Sequence, residues 1–232
     1  MTRTAVFTRE QLRAPFTLAL LVAAPALFVV SAAGALSDFA DALGGSLAGE
    51  AAVVLSAGWA AGLISGALGF FQAASSRGAD RRLALAGLGP ARVAVSRIAA
   101  SVVLAIVAAG AAFLALELRA DIAHPAHAAA AIVAFALLYL GIGVLVGSLI
   151  QAPLEGSLLV TFIFLLDAFA GPGMTGGDPP IWAVSQNAAD VLIAAGVGSG
   201  SPDGDWLKLA LVSAGALVAA FAVFVASARS RA

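Results

Sequence analysis

Charged residues divide this chain into long uncharged stretches. The main ones cover residues 14–37, 51–76, 98–116, 122–154, 156–166 and 209–228. A helix needs about 20 mostly apolar residues to cross a membrane, because it rises about 1.5 Å per residue. Only 156–166 is clearly too short, and it continues past Asp167 through three more apolar residues. The pattern predicts six transmembrane helices, at about 15–36, 51–73, 98–117, 129–150, 155–171 and 207–227.

The composition excludes an ordinary soluble domain. Hydrophobic residues make up 62% of the 232 residues and charged residues 11%, whereas soluble domains average about 45–50% apolar and about 25% charged residues. We therefore expect an all-α polytopic membrane protein, with residues 1–232 forming a single transmembrane domain in the plasma membrane. The net charge of −1 does not indicate a nucleic-acid partner, and the apolar spans make membrane lipid the expected one.

The basic residues indicate an orientation. In a six-span arrangement, ten of the twelve Lys and Arg residues fall on the side that holds both termini. These are Arg3, Arg9, Arg13, Arg77, Arg81, Arg82, Arg92, Arg97, Arg229 and Arg231, whereas Arg119 and Lys208 fall on the other side. Because cytoplasmic loops are enriched in Lys and Arg, the distribution predicts that both termini are cytoplasmic.

The first apolar stretch has a competing interpretation as a cleavable signal peptide, since basic residues precede it and small residues follow it. The apolar run from Pro15 to Leu36 is longer than the core of about 7–15 residues that signal peptides have. We therefore expect a retained first span.

The sequence carries no motif of a soluble enzyme. It lacks a phosphate-binding loop, a nucleophile elbow, an H-E-x-x-H zinc motif and a dinucleotide fingerprint. It has no cysteine, which excludes disulfides and thiolate metal sites. His124 and His127 have a spacing that suits a metal, but no further Cys or His lies nearby and Pro125 opposes a helix that would align them. We expect no catalytic site, no metal and no cofactor bound by this chain.

Two connections have unusual compositions. In the cytoplasmic segment 75–97, the adjacent pair Arg81 and Arg82 precedes a leucine-rich turn and then a glycine- and proline-rich stop. Such a short basic amphipathic helix is suited to a groove on a partner protein, although positive-inside anchoring alone would also explain the arginines. The outer segment 171–206 begins with glycines and prolines and continues into a helix too short and too polar to span. We expect that helix to lie at the outer interface or to re-enter the membrane between the fifth and sixth spans.

The architecture resembles the permease subunits of type-2 ATP-binding-cassette (ABC) exporters. The most specific part of the resemblance is the segment from Arg81 to Arg92, in which a leucine-rich turn leads to Pro90 and a re-entering helix. The resemblance implies that this segment contacts a separate ABC ATPase subunit, which would bind ATP and Mg. The implied contact residues are Arg81, Arg82, Leu83, Leu85, Leu88, Pro90 and Arg92. It also implies a homodimer, or a pair with a related permease subunit, that exports a hydrophobic or amphipathic substrate such as a drug, an antibiotic or a lipid.

Asp167 is the residue of the predicted spans that most needs an explanation, because an ionised carboxylate inside a membrane is costly. One interpretation is that it lines the substrate path and recognises a cationic or polar substrate. The other is that it is hydrated near the outer interface or pairs with Lys208.

Glycine repeats predict close helix packing. Gly58, Gly62 and Gly66 recur every four residues in the second span, and Gly143 and Gly147 repeat the spacing in the fourth. Such a row of glycines leaves one helix face without side chains, so that a neighbouring helix can approach closely.

Two other functions remain open at this stage. A proton-coupled secondary carrier would use Asp167 and would transport without ATP. A membrane scaffold that transports nothing is the third hypothesis, against which the polar outer helix and Asp167 count weakly.

Overall fold

A computed structural model describes residues 15–47, 49–83, 89–150, 152–175, 180, 182–198 and 206–229. Within these ranges all regular structure is helical. The helices are α1 (Pro15–Ala42), α2 (Gly49–Ser75), α3 (Arg77–Leu83), α4 (Pro90–Glu117), α5 (Pro125–Leu149), α6 (Pro153–Phe169), α7 (Gln186–Val197) and α8 (Trp206–Arg229).

Five of the helices in the described part of the chain are long and apolar enough to cross a membrane. They cover Leu21–Ala42, Gly49–Ser75, Ala91–Glu117, Pro125–Leu149 and Trp206–Ser227. The protein is therefore helical and has the features of a multi-pass membrane protein, as predicted. The helix expected as the fifth span, α6, has 17 residues. Its length of about 26 Å is slightly less than the hydrocarbon core of about 30 Å.

Proline sets the start of three helices. α4, α5 and α6 each have a proline in their first turn, where the missing N–H has no intrahelical partner to lose. α4 consequently begins at Pro90, about two turns before the predicted span at 98. Arg92 and Arg97 therefore lie in the same helix as the long apolar segment that follows them.

α2 is the central helix of the bundle. In its apolar window 72% of the residues are buried, against 22% in each of α1 and α8. The predicted glycine repeats lie where α2 meets α5. A Cβ atom on Gly58 would be 2.7 Å from the ring of Phe135, and a Cβ atom on Gly147 would be 2.6 Å from the backbone oxygen of Phe70. A Cβ atom on Gly143 would overlap the backbone oxygen of Gly66. The two helices are thus close enough to exclude side chains at these positions.

Contacts along the helices give their relative directions. Gly58 faces Phe135 and Gly62 faces Tyr139, so α2 and α5 run parallel.

α5 and α8 also run parallel. The ring centroids of His127 and Trp206 are 5.8 Å apart. Further along, the Ser213 hydroxyl donates to the Ala134 oxygen at 3.4 Å, and Gly141 lies against Ala216.

α6 runs antiparallel to α2. Gly156 lies against Phe70, Val160 against Gly66 and Gly171 against Trp59. The chain between α5 and α8 therefore passes back along the bundle.

Candidate functional site

Asp167 lies near the end of α6 and is 3% exposed. The hydroxyl of Tyr139, on α5, donates a hydrogen bond to its Oδ2 atom. The backbone N–H of Ser185 points at both carboxylate oxygens, with N–O distances of 3.4 Å to Oδ1 and 3.3 Å to Oδ2. The acid predicted from the sequence is therefore enclosed by protein and bonded to two different segments.

Tyr139 holds its position through close packing. It is fully buried, and its ring lies edge-on to Phe164 with a centroid separation of 5.3 Å. A Cβ atom on Gly62 would be 2.7 Å from Cδ2 of Tyr139. The glycine at position 62 therefore makes room for the ring whose hydroxyl bonds to Asp167.

Sequence reasoning did not single out Tyr139, although a signal was present. It is the only tyrosine in the chain and sits within a long apolar stretch. A buried tyrosine hydroxyl usually finds a hydrogen-bond partner. A lone acid and a lone tyrosine that both lie in apolar stretches can therefore be expected to form a hydrogen bond.

Ser185 lies at the start of the short helix α7. It is the N-cap residue of α7, its own side chain makes no capping hydrogen bond, and it is 1% exposed. The Asp167 carboxylate consequently lies at the N-terminus of α7, where unpaired N–H groups and the helix dipole favour a negative charge.

The C-terminus of α7 is bonded to the chain at one end of the bundle. At its C-terminus, the N–H groups of Ala123 and His124 donate to the carbonyl oxygens of Gly196 and Ala195, at 3.2 and 2.8 Å. These two donors lie just before α5.

α7 also packs antiparallel to α2. Gly196 lies against Val54, and Leu192 lies against Gly58. The same register places Ser185 at about the level of Gly62 to Ser65, near the middle of α2. α7 therefore reaches from one end of the bundle to about the middle of α2.

The other polar residues considered in the sequence are Lys208, His124 and His127. Lys208, the alternative partner of Asp167, is exposed near the start of α8. His124 and His127 have ring centroids 5.9 Å apart. The described residues contain no group of three or more His, Cys, Asp or Glu side chains that could hold a metal ion.

The expected ATPase-contact segment, Arg81 to Arg92, begins in a short helix, α3, which is separated from α2 by Ser76, and ends in the first turn of α4. α3 begins at Arg77 and ends at Leu83, so it starts earlier than the leucine-rich turn on which the prediction centred. Arg82 and Arg92 are exposed, and Leu83 is half-buried. The side chains of Arg81 and Pro90, and all of Leu85 and Leu88, lie outside the described part of the structure.

Buried polar atoms without a hydrogen-bond partner occur on α2 within the described ranges. They are Nε1 of Trp59, Oγ of Ser65 and both amide atoms of Gln72. These atoms follow the central helix from the level of Asp167 toward the end that leads into α3.

Comparisons with protein-family models, with curated proteins and with solved structures gave no match.

Proposed function

We propose that this protein is the permease subunit of an ATP-driven ABC exporter in the plasma membrane. The observation that carries the proposal is the order of elements along the chain. A short helix, α3, on which Arg82 is exposed, follows the second long apolar helix, and another short helix, α7, precedes the last one at the opposite end of the bundle. This order agrees with the architecture that the sequence resembles.

α6 serves as a sixth span in this proposal, and both termini are cytoplasmic. The support for the sixth span is that α6 runs antiparallel to α2 over the distance from Phe70 to Trp59. The parallel course of α5 and α8 also requires the intervening chain to return across the bundle. Residues at its C-terminal end, including Ala168 and Ala170, are buried by other parts of the protein. Because protein covers this end, a helix slightly shorter than the hydrocarbon core can still serve as a span.

α3 and the start of α4 form the contact with a separate ATPase subunit that binds ATP and Mg. Arg82 and Arg92 are exposed there and available to acidic groups on a partner. Closure of two ATPase subunits would push on α3, and α3 is joined to the central helix through Ser76 alone. Movement of the ATPase is thereby passed to α2, which packs against most of the bundle.

The complete exporter contains two permease subunits, either identical or related. α1 and α8 are the long helices with the most exposed surface, and lipid or a second subunit covers apolar faces of this kind. A bundle with so few charges favours a hydrophobic or amphipathic substrate, of a drug-like or lipid-like chemistry.

The secondary-carrier hypothesis gains support from the burial of Asp167. A carrier would require a carboxylate that gains and loses a proton during transport. In this structure both oxygens of Asp167 are engaged by Tyr139 and Ser185, an arrangement that also serves a purely architectural purpose. The exporter is therefore the preferred function.

Charge reversal at α3 tests the exporter. Arg81→Glu together with Arg82→Glu should lower co-purification of the ATPase subunit by about tenfold or more, because charged hydrogen bonds across an interface contribute about 1.5–3 kcal/mol each. The measurement is the molar ratio of ATPase to permease after affinity purification from native membranes.

The matched control is Arg229→Glu with Arg231→Glu, which makes the same change of charge in another segment expected on the cytoplasmic side. The control should retain the ATPase. Equal ratios in both double variants would contradict the proposed contact.

A further inference from the structure

We propose that Asp167 and Tyr139 form an anchor that holds the N-terminus of the re-entrant helix α7 at mid-depth in the bundle. The anchor brings together three segments of the chain. Asp167 comes from α6, Tyr139 from α5 and Ser185 from the start of α7. It assigns Asp167 an architectural task in place of contact with a substrate.

The start of α7 needs a hydrogen-bond acceptor. The first N–H groups of any helix lack intrahelical acceptors. Within a membrane protein such groups need an acceptor, because each unsatisfied one costs several kcal/mol in hydrocarbon. Ser185 does not cap α7 with its own side chain. The carboxylate of Asp167 supplies the acceptor.

Asp167 in turn needs hydrogen-bond donors. An ionised aspartate is costly in the membrane unless donors surround it. Tyr139 supplies an O–H donor, and the start of α7 supplies an N–H donor together with the positive end of a helix dipole. The acid and the helix end thus satisfy each other's polar groups.

The rest of α7 packs inside the bundle. Ala188, Ala189 and Leu192 on α7 are buried, and Leu192 reaches Gly58 on α2. These residues lie within two turns of Ser185, so their burial depends on the first turn staying at its depth. Loss of the anchor should therefore expose them to water from the outer end.

Site-specific labelling can test the anchor, because the chain has no native cysteine. A cysteine introduced as Ala188→Cys, at a position that is 0% exposed, reports on α7. A second reporter, Ala105→Cys on α4, is at a position that is also 0% exposed and remote from the anchor in the chain. The probe is a charged, water-soluble maleimide, applied to the full-length protein in lipid nanodiscs so that both membrane faces are accessible.

Asp167→Asn and Tyr139→Phe should each raise the labelling rate at position 188 by about tenfold or more, as the loss of a buried charged hydrogen bond implies. Tyr139→Phe removes a single hydroxyl group, so it keeps the test open should Asp167→Asn fail to fold. The control Glu155→Gln makes the same change from carboxylate to amide at the exposed start of α6 and should leave both rates unchanged.

Two results would overturn the anchor. One is an unchanged rate at position 188 in a folded Tyr139→Phe protein. The other is an equal rise at positions 188 and 105, since that would indicate general loosening. The assay needs no ATPase and no substrate, so its failure is distinguishable from failure of the exporter proposal.

Discussion

At the scale of single residues, the position of Asp167 illustrates how neighbours decide the role of a charge. The sequence identifies it as a rare acid within an apolar segment, and the cost of an ionised group in a membrane makes it a candidate for function. Its partners are 28 and 18 residues away along the chain. No local pattern could reveal that Tyr139 and Ser185 would meet it.

Gly62 gives a prediction at the same scale. Gly62→Ala should destabilise the protein by about 1–3 kcal/mol, because the new methyl group would overlap the ring of Tyr139 and overpack the helix contact. The measurement is the midpoint of thermal unfolding in a fixed detergent.

Gly110→Ala is the matched control, since it is an exposed glycine inside helix α4 with no atom within 4 Å of the added Cβ. It should be neutral, or stabilise by about 0.5–1 kcal/mol through the better helix propensity of alanine. Equal losses in the two variants would show that Gly62 does not act through Tyr139.

At the scale of elements, apolar periodicity and length predicted the helices better than their ends. The five long apolar helices lie at predicted spans, but α4 begins about two turns earlier because Pro90 suits the first turn of a helix. A short helix between the last two long helices was predicted from its polar residues and its length, and α7 is such a helix. Its depth was not predicted, because depth depends on the contact between Ser185 and Asp167.

α6 is the element whose crossing can be tested most simply. Leu154→Cys lies at the start of α6 and Thr175→Cys lies beyond its end, and both positions are exposed. If α6 is a sixth span, a membrane-impermeant maleimide added to intact cells should label position 175 and spare position 154 until the cells are opened.

Labelling of both cysteines from the same side would mean that α6 enters the bundle without crossing it. The chain would then cross the membrane an odd number of times, and its two termini would lie on opposite sides. The assignment of both termini to the cytoplasm would therefore be wrong.

At the scale of the whole molecule, the distribution of charge and the architecture point the same way. Ten basic residues fall on the side expected to face the cytoplasm, and α3 exposes Arg82 there. The opposite end holds the C-terminus of α7 and the loop before α5. The bundle thus exposes Arg82 near one end and packs the C-terminus of α7 at the other, which agrees with the proposed exporter.

If the chain works with a separate ATPase, as we propose, ATP hydrolysis should co-purify with the tagged protein from native membranes. We expect Mg-dependent hydrolysis that is lost with Arg81→Glu and Arg82→Glu but kept with Arg229→Glu and Arg231→Glu. A stable, folded preparation that contains no hydrolysing subunit, or whose hydrolysis is the same in both double variants, would exclude the proposed ATPase contact.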